Sequence, residues 1–190
     1  MPGYARLDPA RGVVLALLLT LGGCFQQDAA GRFEISRLDA HWTNGRVEIS
    51  CDQRLELSAE ARSALRHGVP LTIEVELILR DLASRTRVGG ITRRYEVRYL
   101  PLSEHYQVSG IGAHNVATFP RLRHALAELS RLDLSLEVGT LPAGDYEVLA
   151  RSQLAHGDLP PPMRLPALFD PEWKHASNWT SWPMTVGSGA

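Results

Sequence analysis

Residues 71–80 read LTIEVELILR, and this stretch decides the fold class. Every second residue from its start is apolar, namely Leu71, Ile73, Val75, Leu77 and Leu79. In an extended chain successive side chains point to opposite faces, so these five share one face. Alternation over so many residues predicts a long strand with one buried face.

The segment from Ile91 to Leu100 alternates in the same way, and we expect it to pair with the first strand. Residues 81–90 then form the hairpin loop. Glu74 and Glu76 lie two apart on the polar side, a spacing that could indicate acid-base chemistry. Carboxylates on the solvent face of a strand usually meet arginines across the ladder, so we predict ion pairs and leave the register open.

Further strands are predicted on both sides of this pair. Phe33–Leu38 and Val47–Asp52 alternate and flank Asn44-Gly45, a dipeptide typical of a two-residue hairpin turn. Leu134–Val138 alternates as well, and a further strand is predicted over Tyr146–Leu154. We therefore expect strands to dominate the fold.

Two short helices complete the predicted elements. The first begins after Ser58, a capping residue, and ends before Gly68. The second covers Thr118 to Arg131, where apolar residues recur three and four apart and Pro120 suits a first turn.

The fold class is predicted to be mainly β, an immunoglobulin-like β-sandwich of seven or eight strands with two short α-helices. Gly144-Asp145-Tyr146 at the start of a strand resembles the tyrosine corner of such sandwiches. A half-open barrel is the alternative architecture.

The amino terminus has the parts of an export signal. Arg6 and Arg11 precede an apolar run from Gly12 to Gly23, which is about half of the ~20 residues that a spanning helix needs. Leu21-Gly22-Gly23-Cys24 resembles the lipobox of bacterial lipoproteins. That resemblance implies a diacylglyceryl group on the Cys24 thiol, cleavage just before Cys24, and acylation of the freed amine; an ordinary signal peptide is the alternative.

The predicted layout follows from this signal. Residues 1–23 are a lipoprotein signal peptide, 24–32 a lipid anchor and tether, 33–186 a single β-rich domain, and 187–190 a tail. Two or three acyl chains hold a protein durably on a membrane. The expected location is the periplasmic face of a bacterial membrane, and Phe25 in place of an aspartate favours the outer membrane.

Composition argues against several function classes. A net charge of −1 and a pI of about 6.7 give no electrostatic basis for binding nucleic acid. The seven histidines show no metal-binding spacing, and no catalytic motif is found, so we expect no cofactor and no enzymatic activity. Cys51 lies on the apolar side of its strand, which indicates core filling; a reactive or intermolecular thiol is the alternative.

The last third of the chain changes in composition. Residues 159–166 contain four prolines, which we expect to prevent regular structure. Trp173, Trp179 and Trp182 fall within ten residues of each other. They are the candidate partner surface, and the alternative is that they cover the bottom of the sandwich.

A set of segments taken in order resembles a known family. These are ALRHGVPLTIEVEL, HALAEL, GDYEV, LPPPM and EWKHASNWTSWPM. Together they are similar to the proteobacterial family described as domain of unknown function 4390, here with a lipoprotein-type signal. The resemblance covers roughly Phe33 to Met184 and implies an exported protein without an assigned activity or site.

The expected function is that of a non-enzymatic lipoprotein that binds an envelope protein or polymer, or serves as an accessory subunit of a membrane machine. Its contact surface would be the tryptophan segment or an exposed sheet edge. The alternative is a glycan- or lipid-binding domain, which could be enzymatic, with His105 and Tyr106 lining an aromatic groove beside Trp173.

Overall fold

The structure is a computed structural model that describes residues 31–112 and 115–187. Within them are nine strands: β1 (Arg32–Thr43), β2 (Arg46–Glu56), β3 (Leu71–Asp81), β4 (Arg87–Leu100), β5 (His105–Gly110), β6 (Val116–Phe119), β7 (Arg131–Glu137), β8 (Gly144–Leu154) and β9 (Thr180–Val186). The helices are α1 (Ala59–Arg66), α2 (Leu122–Glu128) and α3 (Pro161–Phe169). Two 3-10 turns lie at His156–Asp158 and Pro171–Trp173.

The strands form two antiparallel sheets. One has three strands in the order β1-β2-β7, and the other has six in the order β6-β5-β4-β3-β8-β9. Buried residues of both sheets belong to one hydrophobic cluster, and β1 contacts β8 and β9 along one margin. The predicted mainly β sandwich is confirmed, with nine described strands instead of seven or eight and three helices instead of two.

The quoted stretch is β3, the centre of the larger sheet. It pairs with β4 on one side and with β8 on the other. All five alternating apolar side chains of β3 are fully buried. The hairpin with β4 is as predicted, but β4 already begins at Arg87, so the predicted loop at 81–90 is too long. Pairing with β3 extends the strand through Gly89 and Gly90, which sequence alone does not favour as strand residues.

Asn44 and Gly45 form the two-residue turn between β1 and β2. Both have positive φ, 50° and 82°, as a type I′ turn requires. The pairing of Thr43 with Arg46 fixes the register of the hairpin. This prediction is confirmed.

α1 lies where it was predicted. The Ser58 side chain accepts a hydrogen bond from the backbone N–H of Ala61 and so caps the first turn. Ala61, Ala64 and Leu65 are buried on its inner face.

The predicted second helix is too long at both ends, because α2 covers only Leu122–Glu128. Thr118 and Phe119 belong to β6, where Phe119 pairs with Tyr106 of β5. The residue types of β6 favour strands, namely Val116, Thr118 and Phe119. The exposed edge of β5 accepts them as a neighbouring strand, and this pairing cannot be predicted from local spacing. Arg131, at the other end, begins β7.

The prediction that prolines prevent regular structure is wrong for α3. Pro161 stands at the first helical position, where a missing N–H costs nothing. Pro166 lies inside the helix and removes one backbone hydrogen bond, which a helix of nine residues that packs on the core can tolerate.

The tyrosine corner is present. Tyr146 is 3% exposed, and its hydroxyl donates to the carbonyl oxygen of Pro142 at 2.9 Å. The bond fixes the loop before β8 against the strand itself.

The two ends of the sandwich differ. At the helical end, β1 starts beside the end of β2, and α1, α3 and both 3-10 turns connect the strands there. At the turn end lie the Asn44-Gly45 turn and the loop at residues 82–86. The chain enters the described structure at the helical end.

Candidate binding surface

The three tryptophans of the candidate surface lie in three different environments. Trp173 sits in a 3-10 turn and is 4% exposed within the core cluster. Trp179 precedes β9 and is 42% exposed, and Trp182 lies on β9 and is 38% exposed. They therefore do not form one continuous patch.

Trp179 covers an arginine on the outer face of the six-stranded sheet. The guanidinium carbon of Arg151 lies 5.0 Å from the centre of the Trp179 ring. Arg151 pairs with Glu76 across the ladder, and their charged atoms are 3.8 Å apart. A cation over an indole face is attracted to it, so the ring is held in place while part of it stays open to solvent.

The neighbouring charges on this face are also paired. Arg94 lies 3.1 Å from Glu74, opposite it in the ladder, and contacts Asp158 as well. Gln153 donates from Nε2 to the second Glu74 oxygen at 3.1 Å. The predicted pairing of Glu74 and Glu76 with arginines is confirmed, and the two carboxylates are engaged in ion pairs.

Trp182 points the other way. It lies opposite Val148 in the β8–β9 ladder, and residues opposite each other share a face. Val148 is fully buried, so Trp182 lies on the core side of β9, at the margin where β1 passes. Trp179 with Arg151 is thus the part of the candidate surface that faces outward.

A scan of family models supplies the family. The model described as "Domain of unknown function (DUF4390)" matches residues 30–183. The chain belongs to the DUF4390 family. No curated protein and no solved structure matches this DUF4390 chain.

The residues proposed to line an aromatic groove are not brought together as expected. Trp173 is closed inside the core, so its ring cannot form the wall of an open groove. Tyr106 instead packs on Tyr99 of β4, with ring centres 5.0 Å apart. His105 binds the backbone oxygen of Ser103 in the turn before β5.

The two cysteines have different outcomes. Cys24 lies outside the described residues, so its lipidation stays a prediction. Cys51 is fully buried and free, and burial raises the pKa of its thiol to about 11, with the nearby Asp52 charge adding to the rise. A thiol this buried and this weakly acidic fills the core and is not a nucleophile.

Among the histidines that the structure describes, His175 is the buried one, at 1% exposure. Its Nε2 accepts a hydrogen bond from the backbone N–H of Ser58 at 2.9 Å, and its ring packs on Phe33. Burial lowers its pKa, because the charged imidazolium would lose its water. His175 therefore joins the last third of the chain to the start of α1.

A cavity that sequence reasoning did not predict lies between α2 and the end of β2. It has a volume of about 510 Å³, and its walls include Arg54, Arg123 and Arg131. Gln53, 4% exposed, also lines it; its Nε2 donates to the Leu129 carbonyl, and its Oε1 has no hydrogen-bond partner among the described residues. The available signal was a glutamine between Cys51 and Leu55 on the buried side of an alternating strand.

In residues 31–112 and 115–187, no group of three or more His, Cys, Asp or Glu side chains is arranged to hold a metal ion. No helix in those residues is long and apolar enough to cross a membrane.

Proposed function

We propose that this chain is a membrane-anchored lipoprotein of the bacterial cell envelope, on the periplasmic side, and a non-enzymatic binding module. The lipobox-like residues Leu21–Cys24 support the anchor, and Phe25 favours the outer membrane. The described residues begin at Gly31, seven positions after Cys24, and a separation of this length suits a short tether between lipid and domain.

The observation that carries the binding role is Trp179 on Arg151. Tryptophan and arginine are the residue types most enriched at the energetic centres of protein interfaces. Here Arg151, itself paired with Glu76, packs against one face of the Trp179 ring and holds it in place. A partner that binds this surface would therefore not have to order the ring. The occupant is a protein or polymer of the envelope, and the chain serves as its adaptor or accessory subunit.

The test is site-specific photocrosslinking in cells. A photoreactive amino acid replaces Trp179 in one strain and Val88 in the other; Val88 is 43% exposed and lies at the turn end of the sheet. We expect one dominant crosslinked protein from position 179 that is missing from position 88. Identical products at both positions, or none at either, would contradict the proposal.

A second candidate function, binding of a small glycan or lipid headgroup, is favoured by the cavity beside α2. Its volume suits a small ligand, and the buried Gln53 oxygen would accept a hydrogen bond from a hydroxyl group. Thermal shift against envelope glycans and phospholipids tests it, with Arg123→Gln as the comparison. A melting temperature unchanged across the panel would remove this candidate.

A further inference from the structure

The outer face of α3 carries large apolar side chains that nothing in the described structure covers. Phe169 is 80% exposed, Leu165 68% and Leu168 52%. Residues three and four apart lie next to each other on a helix, so these three form one face. We call them the α3 apolar face.

The opposite side of the same helix is already used by the core. Ala167 is 1% exposed, and Met163 packs against the core cluster. Arg164 is the one charged residue of α3. A helix that is apolar on all sides is normally buried on all sides, so the α3 apolar face is suited to an apolar environment.

This face lies at the helical end, close to where the chain enters the domain. The 3-10 turn Pro171–Trp173 contacts α3 and leads directly to His175. Gly31 lies against the His175 ring, so tightly that a Cβ on Gly31 would overlap that ring. Five residues along the chain, three of them in that compact turn, therefore separate Phe169 from His175, the side chain on which Gly31 rests.

A second element adds an apolar side chain at the same end. Leu102 lies in the tip between β4 and β5 and is fully exposed. This tip is at the helical end because Val97 of β4 pairs with Leu71, the first residue of β3. At the turn end, by contrast, Leu82 and Val88 are exposed to only 39% and 43%.

The length of the amino-terminal tether limits how far this end can stand from a bilayer. Six residues, 25–30, lie between a lipidated Cys24 and Gly31. At no more than ~3.6 Å per residue, the seven steps from Cys24 to Gly31 reach roughly 25 Å, less than the thickness of a bilayer with its headgroups. An anchored domain thus has its helical end beside the lipid surface.

We propose that the α3 apolar face, with Leu102 at the same end of the sandwich, docks on the lipid surface in which the acyl chains of Cys24 are embedded. The proposal rests on the lipid anchor of the proposed function. Phenylalanine and leucine on one helix face enter the boundary between headgroups and acyl chains. The charges that flank the face along the chain are balanced, with Arg164 and Lys174 against Asp170 and Glu172, so we expect the contact to be apolar and insensitive to salt.

Fluorescence of the mature lipoprotein in vesicles tests this docking. Phe169→Cys and the control Val88→Cys are purified from membranes, labelled with a polarity-sensitive dye, and reconstituted into phosphatidylethanolamine and phosphatidylglycerol vesicles. An acylated Cys24 has no free thiol and Cys51 is buried, so the dye reports the introduced position. Both positions are exposed, so the changes leave the fold intact.

We expect the dye at position 169 to shift to the blue and to be quenched by nitroxide-bearing lipids, at low and at high salt, while the dye at 88 is unaffected. Vesicles that float with the protein but do not quench position 169 would overturn the docking and leave the anchor intact. Protein that does not float with the vesicles would overturn the anchor and, with it, the docking. A blue shift without lipid quenching would show that a second copy of this chain, and not lipid, covers the face, and it would overturn the docking.

Discussion

Trp173 and Trp179 stand six residues apart and differ in what surrounds them, so alanine should separate their roles. Trp173→Ala removes a buried aromatic ring and should lower the free energy of unfolding by about 3–5 kcal/mol. Trp179→Ala loses an exposed contact with Arg151 and should cost less than about 1 kcal/mol. Urea unfolding measures both; equal losses would show that Trp179 is a core residue as well.

Cys51 should be unreactive in the folded protein. Its thiol is fully buried and its pKa is raised to about 11, so the thiolate is scarce at neutral pH. A thiol reagent should leave Cys51 unmodified in buffer and modify it fully in denaturant, as read by mass spectrometry. Rapid modification of the native protein would point to the alternative of an accessible, reactive thiol.

His175 should make the domain less stable in mild acid. Burial lowers its pKa in the folded state, so below the ordinary value of about 6.5 the unfolded chain binds a proton that the folded chain does not. The free energy of unfolding should then fall as the pH falls below that value. In His175→Gln this fall should be smaller, and identical pH profiles of unfolding for the two proteins would refute the assignment.

Among the elements, α1 offers the sharpest test of a local signal. Ser58→Ala removes the side-chain oxygen that accepts from Ala61 N–H and should cost about 1 kcal/mol. Ser63→Ala, within the same helix, is the control and should be neutral or slightly stabilising because alanine favours helices. Chemical unfolding compares them, and equal effects would contradict the capping role.

Local patterns predicted the elements that depend on local physics. Alternation identified β3, Asn44-Gly45 marked a turn whose positive φ angles few residues adopt, and Ser58 marked a helix start. Local patterns failed where strand pairing or packing on the core determines the secondary structure. β6 exists because β5 lies next to it, and α3 forms on the core despite Pro166.

The candidate surface shows the same limit. The cluster of tryptophans was visible in the sequence, but their separation into core, outer face and sheet margin depends on how the last third wraps the sandwich. The α3 apolar face could not be predicted for a related reason. The prolines argue against a helix, and without a helix the apolar residues of this stretch cannot be assigned to one face.

The whole molecule has two surfaces with different proposed roles. The helical end, where Gly31 enters and α3 exposes its apolar face, is proposed to face the lipid. The outer face of the six-stranded sheet, with Trp179 on Arg151, is proposed to bind an envelope component. A domain held at one end by a short tether would leave the turn end and much of this sheet open to the periplasm.

The membrane anchor and the docking of the helical end both depend on the modification of Cys24, so the intact mass of the mature protein is the most direct test of the account. Protein purified from membranes should begin at Cys24 and carry a diacylglyceryl group and an amide-linked acyl chain, and Cys24→Ser should abolish that product. A mature chain that begins at another residue, or at Cys24 without lipid, would contradict the account.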